Sequence, residues 1–132
     1  MRARLPFALA AVAALGLGLS LRFLLTGLLA DVAGGVLYVV LVALLIGVVA
    51  PRLPAVTAAG IALAWSIAME QLQAIGAAAR LVELWPPLRL VVGSTFSWLD
   101  IAAYVLGAVL AAAVLIAVGP RGEPVPPAAD GR

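Results

Sequence analysis

The sequence contains no cysteine and no histidine. Disulfides, thiolate zinc sites, c-type haem attachment, imidazole acid/base chemistry and the Ser-His-Asp and Cys-His triads are therefore excluded. Lysine is missing too, so the eight cations are all arginine, set against six carboxylates. They are scattered rather than gathered into a stripe, and nucleic acid is not indicated as a partner. Charged residues make up 11% of the chain, against roughly 25% in a soluble domain. No P-loop or dinucleotide fingerprint occurs, and no cofactor is implied.

What the sequence has instead is apolar length. Of its 132 residues, 66% are hydrophobic. Four uncharged runs, Leu5 to Leu21, Val32 to Ala50, Leu53 to Met69 and Ile101 to Pro120, are each close to the ~20 residues that cross a bilayer. The fold class that follows is all-α: an integral membrane bundle of four transmembrane helices, with spans of about 5–21, 32–50, 54–73 and 99–119. These form one domain over residues 1–119, and the Pro-, Gly- and charge-containing tail 120–132 is expected to be disordered. The lipid bilayer is the first partner.

Local signals mark the ends of the spans. Arg2 and Arg4 ahead of the first apolar run fit either a retained helix or the start of a secretory signal peptide. The retained helix is the reading taken, because no clean A-x-A site with a polar mature start follows. Ala10, Ala13, Gly16 and Ser20 share one broad face that would let a neighbouring helix come close. The stretch Arg22 to Ala30 reads as an interfacial connector, and Asp31 as the N-cap of the second helix. Pro51-Arg52-Leu53-Pro54 ends that helix and starts the third, giving a tight antiparallel hairpin. From Ala74 to Trp98 the chain is too polar and broken to span. An interfacial helix, a break and a short extended or re-entrant piece are expected there. Ser97-Trp98-Leu99-Asp100 matches the [ST]-x-x-[DE] capping signature and should open the fourth helix.

Counting arginines by side places Arg2, Arg4, Arg52, Arg121 and Arg132 against Arg22, Arg80 and Arg89. The excess favours both termini in the cytoplasm of a multi-pass membrane protein. Arg22, Asp31, Glu70, Gln73 and Asp100 then all fall at the opposite, extracytoplasmic face.

Ser66, Glu70 and Gln73 stand at i, i+4 and i+7 on the third helix, and Asp100, Tyr104, Gly107 and Ala111 share a face of the fourth. Asp31, Gly34 or Gly35, and Tyr38 repeat the pattern on the second. If these faces converge they line an outward-facing polar pocket, with Arg22, Arg80 or Arg89 as counter-ions. Ionisable groups at the edge of a span usually face the bundle interior or a wet cavity. Asp31 and Asp100 also sit where plain helix caps sit. Glu70 is at a helix C-terminal end, where the dipole disfavours an anion, so it marks either an ion-pairing or functional role or simple access to headgroup water. Trp85, Trp98, Phe96 and Phe23 fit interfacial anchoring, whereas Trp65 and Tyr38 lie deeper, in core packing or lining a cavity. A pair such as Glu70 and Asp100 can in principle do acid/base hydrolysis or hold Mg²⁺ or Ca²⁺. No spacing motif supports either, so no catalytic residue and no metal ligand is assigned and an enzyme is not favoured.

Three pieces in order carry a family resemblance: Asp31 and Tyr38 at the opening of a span, Glu70-Gln71-Leu72-Gln73 at a helix end, and Gly93-Ser-Thr-Phe96-Ser-Trp-Leu-Asp100-Ile-Ala-Ala-Tyr104-Val-Leu-Gly107. From Asp31 to Ala111 the chain resembles a family of small bacterial inner-membrane proteins catalogued as domain of unknown function 2809. That pattern often has an arginine shortly before the Gly-x-x-Phe motif; Arg80 and Arg89 are the candidates here, and neither lines up cleanly. The E-x-x-Q and D-x-x-x-polar-x-x-G pattern also looks distantly like the VanZ family, linked to glycopeptide-antibiotic resistance at the cell envelope. Tyr104 stands where that family usually has asparagine. Glu70, Gln73, Asp100, Tyr104, Asp31, Tyr38, Arg22 and Arg89 are the candidate residues of the polar pocket; the resemblance supports those it covers and implies no reaction. The first functional expectation is binding of an envelope-associated small molecule or lipid headgroup. The alternatives are a proton- or cation-coupled transport subunit, at least dimeric, or an assembly partner packing through Gly16, Ser20, Gly107 and Ala111.

Overall fold

The computed structural model describes residues 3–88 and 97–119, without the side chains of Ala78 and Leu88. The described residues are helical, with no strand. The helices are α1 (Leu5–Leu24), α2 (Leu28–Val49), α3 (Ala55–Ala74), the short α4 (Ala77–Leu84) and α5 (Trp98–Val118), with a 3₁₀ turn at Pro86–Leu88 before α5. Four of them, α1, α2, α3 and α5, are long and apolar enough to cross a membrane. The chain is an all-α bundle with the features of a multi-pass membrane protein.

The ends of α1 and α2 differ from the sequence reading. Instead of a nine-residue connector, only residues 25–27 separate the two helices, because Gly27 makes the reversal alone at φ 62°, a left-handed conformation that glycine adopts without Cβ strain. Asp31 is consequently not an N-cap: Gly27 holds that position, and Asp31 lies one turn inside α2. At the other end of α2 the Pro51–Pro54 turn forms as expected, closed by the Leu53 amide donating to the Ala50 carbonyl at 3.0 Å, with Pro54 as N-cap of α3. Gly76, at φ 71°, ends α3 and turns the chain into α4. The 3₁₀ turn follows α4, and the extended or re-entrant piece expected at 89–96 lies outside the described residues, as does the tail 120–132.

The core is built on α2, which packs most extensively against α5 and also carries α1 and α3. Glycines set how close α2 and α5 come. A Cβ on Gly107 would stand 2.8 Å from the Val36 carbonyl oxygen, and one on Gly35 would stand 3.0 Å from the Ala103 Cβ. Such approach through small residues is how helices associate where lipid removes the hydrophobic drive. The expected strip Gly107–Ala111 is therefore real, but it is buried inside the bundle and not free for a second protein. On α1 only one residue of the small-residue face packs inside the bundle: Ala10 joins Phe7, Ala11 and Ala14 against the core, the Phe7 ring meeting Gly47, while Ala13, Gly16 and Ser20 are exposed. The Ser20 hydroxyl donates back to the Gly16 carbonyl at 2.8 Å, which satisfies it in an apolar setting.

Candidate functional site

On α3 the buried row is Ala58, Ala62, Ser66 and Glu70, each four residues after the last. The first three are small, so α5 lies close along α3, and Ser66 donates its hydroxyl back to the Ala62 carbonyl at 2.9 Å. Glu70 closes the row at 0% exposure. It does not reach headgroup water.

Its carboxylate is shared between two donors on α5 and its approach. Oε1 accepts the backbone amide of Ser97 at 2.6 Å, and Oε2 accepts the Tyr104 hydroxyl at 3.1 Å. Both donors are neutral. The Ser97 hydroxyl meanwhile accepts the Leu99 amide at 3.2 Å, as an N-cap does. In a full capping box a Glu or Gln three residues on reaches back to the N-cap amide. Asp100 is one methylene shorter, and Glu70 supplies the carboxylate from another helix. This explains why an anion is tolerated at the C-terminal end of α3: it sits against the N-terminal end of α5, where the neighbouring dipole favours it.

The other expected residues divide into those the fold gathers and those it leaves outside. Asp100 is half-buried in the first turn of α5, at the end of the bundle where α2 begins and α3 ends. Asp31 is exposed in the first turn of α2, where an anion is again favoured. No three carboxyls among the described residues stand close enough to share a metal ion. Tyr38 is brought beside Tyr104, ring centroids 6.4 Å apart at 48°, and its hydroxyl accepts the Trp65 indole N–H at 3.0 Å. Trp65 itself is 47% exposed, on the bundle surface rather than in a cavity. Gln73 is half-buried one turn beyond Glu70. Arg22 is exposed in the last turn of α1 and forms no ion pair among the described residues. Arg89 lies outside the described residues, as does Phe96. Trp85, Trp98 and Phe23 are exposed, as interfacial anchors would be.

Two partners were not foreseen. The Ser97 backbone amide is invisible to reasoning from side chains, and the Trp65–Tyr38 bond joins residues in separate spans. The one available signal was the short Asp100 in the capping signature, which leaves an amide to be satisfied from elsewhere.

A family model described as protein of unknown function (DUF2809) matches residues 24–108, well over half of the chain. The chain belongs to this family. No curated protein and no solved structure matches it. The DUF2809 match takes in Asp31, Tyr38, Glu70, Gln73, Asp100 and Tyr104, while Arg22 falls before it. The family description carries no activity, so the site has to be read from its chemistry.

Proposed function

We propose that the acidic end of the bundle binds the cationic amine of a lipid headgroup or of an envelope-associated small molecule. The observation that carries this reading is the gathering of carboxylates at one end of the bundle: half-buried Asp100 in the first turn of α5, exposed Asp31 in the first turn of α2, and buried Glu70 near the end of α3, whose described partners are neutral. A positive group seated against Asp100 and Asp31 would take charge-assisted hydrogen bonds, which are the strong ones. Glu70 and Tyr104 act as positioning residues that hold the start of α5, and Gln73 stands at the same end. On this reading both termini are cytoplasmic, the membrane is the bacterial inner membrane, and the acidic end faces the envelope. The distant likeness to VanZ favours the same side.

The test is a titration of the full chain in phosphatidylglycerol nanodiscs with increasing phosphatidylethanolamine, read by tryptophan fluorescence and thermal unfolding. A saturable change in the parent that is lost in Asp100→Asn supports the reading. No change in either signal sinks it.

A buried carboxylate bonded to a tyrosine hydroxyl also suits proton exchange, the role expected of a transport subunit. Proton flux in reconstituted vesicles that disappears with Glu70→Gln would favour that second reading.

A further inference from the structure

At the end of the bundle opposite Glu70, a cavity of about 390 Å³ opens between the start of α1, the α2–α3 turn and the end of α5. That volume lies within the ~300–1,000 Å³ of small-molecule sites. Most of its lining residues are apolar, Phe7, Ala58, Leu115 and Ile116 among them, although its wall also presents polar atoms, and the charged side chain in its lining is Arg52. Ala55 and Ala58 keep the lining small, and the Phe7 ring is seated against Gly47, where a Cβ would come within 2.9 Å of it. The prolines on either side of Arg52 fix the turn that carries the guanidinium at the rim.

Among the described residues, charge at this end has one sign. Arg4 precedes α1 here and Arg52 lies in the turn, whereas the described carboxylates Asp31, Glu70, Glu83 and Asp100 all belong to the other end or to α4. A slot lined mainly by apolar side chains at the edge of the spans, with a guanidinium at its mouth that no carboxylate among the described residues opposes, is complementary to an amphiphile bearing an anionic head. Basic pockets between transmembrane helices bind such headgroups, and arginine is suited to phosphate through its forked donors.

We propose that this cavity is a site for an anionic phospholipid, with its phosphate on Arg52 and an acyl chain along Ala55 and Ile116. Arg52 is exposed, so replacing it leaves the packing intact. Ala55 lines the slot and is only half-buried, so Ala55→Leu fills the space without altering charge.

The experiment compares the parent, Arg52→Gln, Ala55→Leu and Arg4→Gln in phosphatidylcholine nanodiscs with and without phosphatidylglycerol. Retained phosphatidylglycerol is counted by native mass spectrometry, and thermal unfolding is followed in parallel. The parent should retain phosphatidylglycerol and melt a few degrees higher with it. Both effects should be lost in Arg52→Gln and Ala55→Leu and kept in Arg4→Gln. Equal losses in Arg4→Gln and Arg52→Gln with Ala55→Leu unaffected would show diffuse surface attraction and overturn the site. An equal melting shift with inorganic phosphate alone would show a free-anion site and overturn the lipid assignment. Displacement of the lipid by a second copy, seen as a dimer in the mass spectrum, would overturn it as well.

Discussion

Glu70 on α3 accepts the backbone amide of Ser97 at 2.6 Å, joining two residues separated by 27 positions in sequence. A side chain from one spanning helix thereby completes the N-terminus of another. Every buried side-chain polar atom among the described residues has a partner, so this end of the bundle is a closed network, with Asp100 and Asp31 above it.

Glu70→Ala removes both acceptors and leaves the Ser97 amide and the Tyr104 hydroxyl unsatisfied. Each orphaned buried group costs about 1–3 kcal/mol, so the variant should melt far below the parent in the same mild detergent. Glu70→Gln keeps an acceptor for the amide and a polar group for the tyrosine and should fall much less. Equal melting of Glu70→Ala and the parent would show that the contact does not hold the helices.

Tyr104→Phe deletes one buried hydrogen bond to the Glu70 side chain and should cost about 1–3 kcal/mol. Tyr38→Phe removes only the acceptor of a half-exposed indole and should cost less. A double-mutant cycle between Glu70→Gln and Tyr104→Phe should show coupling, since the two groups touch. Strict additivity would contradict the hydrogen bond.

Gly107→Ala drives a methyl group against the Val36 backbone, which cannot swing aside as a flexible side chain can. The expected cost is about 1–3 kcal/mol, as for overpacking elsewhere. Gly34→Ala is the control: a Cβ there meets nothing within 4 Å, and the helix should gain up to about 1 kcal/mol. Similar melting temperatures for the two variants would contradict the close α2–α5 approach.

A reporter fused after Arg132 should be active only as a cytoplasmic fusion, and one inserted at Arg80 only outside. The opposite pattern would invert the orientation and place the acidic end in the cytoplasm.

The four spans were legible because nothing charged interrupts them and because Pro51, Pro54 and the Ser97 cap mark their edges. The first reversal was misjudged because Leu24, Leu25, Leu28 and Leu29 extend both helices toward a single glycine, and residue type alone does not fix a positive φ. Glu70 stood out as an anion at an unfavourable helix end. What hid its role was that the compensation comes from another helix's N-terminus and from a backbone amide, neither of which leaves a mark in the residue alphabet. The packed face of α1 was legible only at Ala10, for a related reason. Small residues lie all around that helix, and only the partner surface, Gly47 against Phe7, selects which face packs.

The decisive measurement is the thermal unfolding of the parent, Glu70→Gln and Asp100→Asn in phosphatidylglycerol nanodiscs, each with and without phosphatidylethanolamine. Removing the Asp100 charge forfeits a helix-dipole interaction worth about 0.3–1 kcal/mol but also ends the desolvation of a charge on a half-buried side chain. Asp100→Asn should therefore melt at or above the parent without the amine lipid and lose the stabilisation that the lipid gives the parent. If instead Asp100→Asn melts well below the parent in both discs, with an undiminished response to phosphatidylethanolamine, Asp100 is a structural cap and the acidic end is not the binding site.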